Sequence, residues 1–316
     1  MTSLADAPSV PAHVPAHLVR DVDVVNDPDV LADPYAAFDR LRGQGKILWS
    51  TALGGHWIVL GADEVREVFN RPDDFSSYPT GVPPMVGFWP RKLIPQELDG
   101  AEHRRFRRLL SPFFSPAAVR PLAEAVRRRA NALIDRFAEA DGCEFVTALA
   151  RPLPAAVYLD LFGAPAGQAD TFTEWVDVML RSADPQRRAA AGGQIIGYLL
   201  GLIEARRAEP RDDLISRLIA ASADEGGLTD EDLLDTAFLL FIAGMDTVSN
   251  QLGIVFHHLA RHPELQEVLR AEPERIPTAV EELLRVYPIV PPARTAARDT
   301  AFGLGPHRCL GAHLAR

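Results

Sequence analysis

A ten-residue segment near the end of the chain, Phe302–Gly311, constrains the fold more than any other part of the sequence. It reads Phe-Gly-Leu-Gly-Pro-His-Arg-Cys-Leu-Gly, and glycines around one cysteine predict a tight loop with close backbone approach. Cys309 comes just before a predicted helix over 311–316, and amides at a helix N-terminus favour a thiolate. Because a thiolate is a soft ligand, the segment indicates a transition-metal site, the alternative being a glycine-rich turn with an inert cysteine.

The composition is that of a globular protein. Of the 316 residues, 47% are hydrophobic and 24% are charged, which excludes disorder as the main state. A net charge of −10 disfavours nucleic-acid binding, because phosphate contacts need a basic surface. The two cysteines, Cys143 and Cys309, argue against a disulfide framework.

We expect a cytoplasmic protein with no membrane span. The longest strongly apolar stretch, around 237–243, is far shorter than the ~20 residues needed to cross a bilayer. The N-terminus is rich in proline and aspartate and does not follow the pattern of a signal peptide. Residues 1–28 are predicted to form a loosely packed N-terminal arm.

The remaining sequence predicts a mainly α fold with a minor β part. One buried strand is predicted over 55–60, after a turn-like glycine pair. Thr229 and Asp232 have capping-box spacing and predict the start of a long helix that ends near His262. Other helices are predicted over 34–42, 63–70, 116–140, 170–181 and 189–207, with two more beginning near Pro263 and Pro277.

The segment around Cys309 resembles the haem-binding loop of the cytochrome P-450 monooxygenases, Phe-Gly-x-Gly-x-His-x-Cys-x-Gly. The resemblance implies that Cys309 is the proximal thiolate ligand of haem b (iron protoporphyrin IX). A thiolate ligand favours cleavage of the O–O bond. The resemblance also implies that Phe302, Gly303 and Gly311 belong to the cofactor-binding loop.

A second family motif lies midway along the long predicted helix, where residues 243–247 read Ala-Gly-Met-Asp-Thr. It matches the family's Ala-Gly-x-Asp-Thr oxygen-activation groove. Ala243 and Gly244 are expected to leave room beside the helix for a diatomic ligand. Thr247 and Asp246 are the predicted catalytic residues, the first donating to bound oxygen and the second relaying protons from solvent. The alternative is a threonine that bonds back to the carbonyl of Ala243, beside a solvated aspartate.

A set of basic side chains matches the family's ligands for the haem propionates. Arginine suits this role because its guanidinium binds a carboxylate with two parallel hydrogen bonds. The set is His103, Arg107, Arg294 and His307. The first two lie one helical turn apart, so both can reach one carboxylate, the alternative being a solvated basic helix face.

The order of the motifs along the chain is also that of the family. Glu282 and Arg285 match its Glu-x-x-Arg motif, which in the family is a structural ion pair on the proximal side of the haem. In isolation such an i,i+3 pair is a common surface feature worth a few tenths of a kcal/mol. The resemblance covers the chain from about Pro34 onward, and the soluble bacterial camphor-type terpenoid hydroxylases are the most similar subgroup.

The sequence departs from the family pattern in two places. After Thr300 the family continues with a strand pair, an Asn-Arg-Asp stretch and a meander loop, whereas here Ala301 follows directly. The chain ends at Arg316, within the helix that follows the ligand cysteine in the family. We therefore expect residues 29–316 to form an incomplete cytochrome P-450-like domain that lacks the segment between Thr300 and Ala301 and the C-terminal end.

The resemblance implies a monooxygenase that hydroxylates a small apolar substrate, of terpenoid type, with O2 and two electrons. The substrate is expected to contact Leu239 and Ile242 beside the oxygen groove, and Ile289 and Val290 further along, since ligand pockets are mostly apolar. The alternatives are a non-catalytic haem-binding remnant, an inactive truncated monooxygenase, and an all-α interaction protein without haem.

The family draws its electrons from a separate protein, here a ferredoxin with its NAD(P)H-dependent reductase. If His103 and Arg107 face the haem, Arg104 and Arg108 are predicted to emerge nearby on the proximal surface. A basic patch on an acidic protein steers an acidic partner, and salt weakens that steering. The sequence thus predicts docking of an acidic ferredoxin there, the alternative again being a solvated helix face.

Overall fold

The computed structural model of the chain describes residues 10–80, 91–222 and 227–289. They fall into two compact units, one holding residues 10–80 and 273–289 and the other holding 91–222 and 227–272. Both units are dominated by helices, and the predicted mainly α class with a minor β part is confirmed. Residues from Val290 onward lie outside the described ranges, and they include the predicted haem-binding residues Arg294 and Cys309.

Thirteen α-helices occur within the described residues and are numbered in chain order. They are α1 (Pro28–Ala32), α2 (Pro34–Arg42), α3 (Ala62–Asn70), α4 (Gly100–Leu110), α5 (Pro116–Val119), α6 (Ala123–Ile134), α7 (Pro152–Phe162), α8 (Ala169–Arg181), α9 (Pro185–Ala208), α10 (Leu214–Ser222), α11 (Asp230–Arg261), α12 (Pro263–Ala271) and α13 (Ile276–Val286). A π-helical turn, Val146–Ala150, precedes α7.

Most predicted helices are present, with one clear correction. The helix predicted over 116–140 is broken into α5 and α6, because Pro121 lies in a 3-10 turn between them and has no amide hydrogen for a helical bond. The second piece also ends early, at Ile134. Asp184 caps α9, so that helix begins at Pro185, earlier than predicted.

A three-stranded sheet organises the first unit. Strand β1 (Val19–Arg20) runs parallel to β2 (Ile47–Ser50), and β2 pairs antiparallel with β3 (His56–Val59). The β2–β3 turn contains Gly54 and Gly55 at φ values of 90° and 84°, which glycine adopts readily. Part of the predicted N-terminal arm is thus a strand of this sheet.

The strand predicted as buried is covered on one face only. Ile58 is 5% exposed, whereas Trp57 is 40% exposed, the alternation expected of an antiparallel strand with one solvated face. Trp57 lies opposite Trp49 in the register, and their rings meet edge to face with centroids 5.1 Å apart. The buried face packs on α1 and α2 through Val30, Ala37, Phe38, Leu41, Leu48, Ile58 and Leu60.

Helices α7, α8 and α9 hold the centre of α11 in the second unit. Phe241 is fully buried and its ring centroid lies 5.4 Å from Phe162, 5.4 Å from Phe172 and 6.2 Å from Tyr198. Buried aromatic side chains contribute large apolar contact areas and favour such edge contacts. The helix is therefore fixed from three neighbours immediately before the Ala-Gly-Met-Asp-Thr segment.

The long helix begins as predicted, at a capping box between Thr229 and Asp232. By length and composition alone, α11 could also cross a membrane. Its surroundings in the second unit are those of a core helix, since it packs against α7, α8, α9 and α10. It also carries the buried Asp235, which Arg91 binds through two guanidinium nitrogens.

A buried ion pair joins the ends of α7, α9 and α10. Arg206 and Asp213 are 8% and 5% exposed and contact each other, and Arg206 also donates to the carbonyl of Gly163 at 2.6 Å. Burial acts to raise the pKa of Asp213, but hydrogen bonds from Arg206 and Ser216 outweigh it and hold that pKa below its usual value. The pair therefore favours the ionised carboxylate.

Candidate active site

The predicted catalytic threonine lies on an exposed side of α11. Its hydroxyl donates to the carbonyl of Ala243, with Oγ1 and O 3.0 Å apart, and both residues are solvent-exposed. This is the back-bonded arrangement that the sequence left open. Since a hydroxyl has one donor and two acceptor lone pairs, Thr247 presents an acceptor to a ligand and can donate only by releasing Ala243.

Gly244 faces a different neighbour from Ala243. A Cβ atom on Gly244 would overlap three ring carbons of Tyr158, which projects from α7. The room that the sequence predicted beside this glycine is therefore filled by the tyrosine ring. Helix packing explains why glycine occurs there despite its cost of about 1 kcal/mol relative to alanine within a helix.

Asp246 belongs to a chain of alternating charges rather than standing alone in solvent. Its Oδ1 lies 2.7 Å from Nη2 of Arg181, whose Nη1 lies 2.6 Å from Oδ1 of Asp177. Arg151 extends this series of charges, because its Nη2 lies 3.5 Å from Oδ2 of Asp177. The contacts connect the end of α8 to the centre of α11, one residue before Thr247.

These charges line a cleft that is open to solvent. Its wall includes Thr173 and Ser249, and the buried hydroxyl of Ser249 has no hydrogen-bond partner among the described residues. A polar cleft lined by carboxylates can hold the water molecules such a hydroxyl requires. The arrangement suits proton exchange between solvent and Asp246.

Sequence reasoning missed Arg181 and Asp177. Their i,i+4 spacing is a recognisable helix pair, but nothing local indicates that Arg181 also reaches an aspartate 65 residues further along the chain. Tyr158 was missed for the same reason, because its relation to Gly244 exists only once α7 packs on α11.

Helix α4 presents two chemically different sides. His103 is 3% exposed and Arg107 is half-buried, whereas Arg104 and Arg108 are exposed. An imidazole and a guanidinium one turn apart suit a carboxylate such as a haem propionate. His103 and Arg107 therefore fit that cofactor. The residues predicted as the thiolate ligand, its motif and the remaining propionate contacts lie outside the described ranges: Arg294, Phe302, Gly303, His307, Cys309 and Gly311.

Arg105 differs from its neighbours on α4. Its guanidinium donates to the carbonyl of Gly227, just before α11, and lies 5.1 Å from the ring centre of Phe106. The contact with Gly227 anchors α4 within the second unit. The exposed positive charge of this helix is consequently concentrated on Arg104 and Arg108.

The predicted substrate contacts fall in both units. Leu239 and Ile242 of α11 are 8% and 7% exposed. Ile289, in the first unit, is half-buried and follows a segment anchored by Tyr35, whose hydroxyl donates to the carbonyl of Pro288 at 3.1 Å. Val290 lies beyond the described residues.

The Glu-x-x-Arg motif forms an ion pair within α13. Both guanidinium contacts between Arg285 and Glu282 measure 2.7 Å, one from Nε and one from Nη2. Two parallel bonds to one carboxylate hold both side chains in a defined orientation.

Comparisons with known proteins identify the family. The cytochrome P-450 family model matches residues 155–302. The probable cytochrome P-450 127A1 of Sinorhizobium fredii is 32% identical, over 97% of this chain and 86% of the relative. The cytochrome P-450 monooxygenase PikC of Streptomyces venezuelae is 30% identical, over 91% and 82%. The crystal structure of cytochrome P-450 CYP101C1 matches with a TM-score of 0.84 at 30% identity, over 97% and 88%.

The chain therefore belongs to the cytochrome P-450 family of monooxygenases and has the cytochrome P-450 fold. Membership implies a haem-thiolate cofactor, O2 as a substrate and electrons delivered by a redox partner.

Proposed function

We propose that the chain hydroxylates a small apolar substrate of terpenoid type in the cytoplasm, using haem b, O2 and electrons from a ferredoxin. The observation that carries the proposal is the centre of α11, where the exposed Thr247–Ala243 pair adjoins the ion-paired Asp246. The haem, when bound, supplies the oxygen activation and the oxidising chemistry. The remaining tasks fall to the side chains of this chain.

The first task is binding the haem. Cys309 would supply the thiolate ligand, and Phe302, Gly303 and Gly311 match the rest of the family's haem-binding motif. His103 and Arg107 bind propionate from α4, where one is buried and the other half-buried, and Arg294 and His307 complete the set. The basic side chains suit the two propionate carboxylates, and the thiolate is a soft ligand for the metal.

The second task is proton delivery. Asp246 exchanges protons with water in the cleft when its contact with Arg181 opens. Thr247 receives a proton on its exposed hydroxyl oxygen and donates its own by releasing the carbonyl of Ala243. Positioned general acids of this kind contribute about 10²–10⁴-fold to the rate of a proton-transfer step.

The third task is holding the substrate. Leu239, Ile242, Ile289 and Val290 are the proposed substrate contacts, and their apolar side chains suit a terpenoid hydrocarbon skeleton. The terpenoid class rests on the resemblance to camphor-type hydroxylases, and the apolar character of these four residues supports it.

The fourth task is accepting electrons. The exposed Arg104 and Arg108 provide a positive patch on an acidic chain. Opposite charge raises the rate of diffusional encounter, and the effect falls as salt screens it. An acidic ferredoxin, reduced by an NAD(P)H-dependent reductase, is the electron donor that this surface fits.

The spectrum of the reduced, carbon-monoxide-bound protein tests the proposal directly. Haem-loaded wild-type chain is expected to give a thiolate-type Soret band, and Cys309→Ala to lose it. Cys143→Ala is the matched control, because Cys143 is an exposed free cysteine, and it is expected to keep the band. Product formation from a monoterpene panel, supplied with ferredoxin and reductase, then separates the enzyme from a non-catalytic haem binder.

A further inference from the structure

We propose that Tyr158 is a positioning residue, which fixes from α7 the turn of α11 that carries the oxygen-activation motif. Its ring occupies the side of α11 next to Gly244, and its hydroxyl donates to the carbonyl of Leu240. The structural part of the inference stands alone. Its catalytic part rests on the proposed function, because it concerns how Thr247 is presented.

The two contacts act on a single helical turn. Tyr158 is only 6% exposed, so its hydroxyl must find its partner inside the protein. In a regular α-helix the carbonyl of Leu240 also accepts from the amide of Gly244. The carbonyl of Leu240 therefore accepts one hydrogen bond from within the helix and one from Tyr158. Gly244, which completes this turn, lies against the ring of Tyr158.

The hydroxyl of Tyr158 keeps its proton and so remains a hydrogen-bond donor. Burial raises the pKa of Tyr158 far above its ordinary value, so the phenol stays neutral. A buried hydrogen bond that is fully satisfied specifies one local arrangement, whereas an unsatisfied partner is costly. Phenylalanine at this position would fill the same space and leave the carbonyl of Leu240 without its second donor.

The turn held by Tyr158 overlaps the turn that holds Thr247. The carbonyl that accepts from Thr247 belongs to Ala243, which lies between Leu240 and Gly244 in sequence. A shift of this backbone changes the distance between the Ala243 oxygen and the Thr247 hydroxyl. We therefore assign Tyr158 an action on the proposed chemistry through the backbone of Ala243.

Hydrogen–deuterium exchange provides the structural test, with Tyr158→Phe as the variant. In the haem-loaded chain, amides over 240–247 are expected to exchange about fivefold faster than in the wild type, because local opening becomes easier. Tyr198→Phe is the matched control, since its ring also packs on α11, at Phe241. It is expected to leave the same amides within about twofold of the wild type. Unchanged exchange in Tyr158→Phe overturns the inference.

The catalytic part is tested on the same variant with ferredoxin, reductase and camphor, cineole and limonene as probe substrates. Tyr158→Phe is expected to release more peroxide per NAD(P)H consumed, with unchanged haem content and carbon monoxide spectrum. Faster exchange with an unchanged peroxide fraction shows that Tyr158 only stabilises the helix, and overturns the positioning role. A wild-type chain without a thiolate spectrum refutes the proposed function, while the exchange measurement still decides the structural part.

Discussion

Arg181 and Asp246 are joined by a contact of 2.7 Å between Nη2 and Oδ1, which couples the end of α8 to the centre of α11. The contact is partly exposed, with 49% and 22% of the two side chains accessible. An ion pair in that setting is worth at most about 1 kcal/mol. Its weakness suits the proposed role of Asp246, which must release its partner in order to carry a proton.

Replacing Asp246 by asparagine removes the proposed proton carrier. Asp246→Asn is expected to lower turnover by about 10²-fold, the lower end of the usual effect of a general acid. Arg181→Gln keeps the carboxylate, so its effect is expected to be smaller. Steady-state product formation measures both, and Asp160→Asn is the control, because it breaks a comparable ion pair with Arg129. Equal losses in all three variants would contradict the relay.

Removing the hydroxyl of Thr247 is expected to uncouple oxygen consumption from hydroxylation. Thr247→Ala should retain haem and carbon monoxide binding, because the residue lies on an exposed side of α11, and should release more hydrogen peroxide per NAD(P)H. Thr247→Ser keeps a hydroxyl within reach of Ala243 and is expected to restore most of the coupling. Unchanged coupling in the alanine variant would leave Thr247 as an ordinary back-bonded helix threonine.

Reversing the charge at Arg108 is expected to slow electron transfer from ferredoxin. Arg108→Glu should lower the ferredoxin-driven reduction rate and flatten its dependence on salt, since the steering charge is lost. Reduction by dithionite should stay normal. Arg128→Glu is the control, because Arg128 is an exposed arginine on a different helix, α6. If the ferredoxin and dithionite routes slow together, the patch supports the haem or the fold instead.

The buried pair of Arg206 and Asp213 predicts both a stability effect and its pH dependence. Arg206→Ala leaves a buried carboxylate uncompensated and is expected to cost about 3–5 kcal/mol in the free energy of unfolding. The neighbouring Arg207→Ala, which breaks an exposed pair with Asp230, should cost at most about 1 kcal/mol. Denaturant unfolding at neutral pH measures the loss of stability in both variants. Similar losses would contradict a large contribution from the buried pair.

The pH dependence follows from the direction of the Asp213 shift. Because hydrogen bonds hold the pKa of Asp213 below its usual value, the pair stabilises the fold above the unfolded-state pKa of about 3.9. That stability is lost as the pH falls through the lower folded-state pKa. Asp213→Asn is therefore expected to reduce the slope of the free energy of unfolding against pH below about pH 4. An unaltered slope would argue against a stabilising contribution from ionised Asp213.

Local sequence signals were enough to predict where several helices begin. The capping box at Thr229 and Asp232 fixes the start of α11, and the prolines near the starts of α12 and α13 mark theirs. Pro121 shows where such reasoning was incomplete, because one proline in a favourable helical sequence was enough to separate α5 from α6.

Contacts between distant segments explain what the sequence did not predict. Asp246 was identified as a carboxylate beside Thr247, yet its partner Arg181 is visible only when α8 packs on α11. The sequence likewise suggested that Gly244 makes room, without indicating that Tyr158 fills it. A family motif gives the residue types, whereas the neighbours of each side chain depend on long-range packing.

Gly244 and Tyr158 share one volume, so neither position is independent in protein engineering. Alanine at 244 would gain helix propensity of about 1 kcal/mol, but its methyl group overlaps the ring, and overpacking of this kind costs about 1–3 kcal/mol. The gain becomes accessible only with a smaller residue at 158, which gives up the bond to Leu240. Library designs for this enzyme should therefore vary the two codons together.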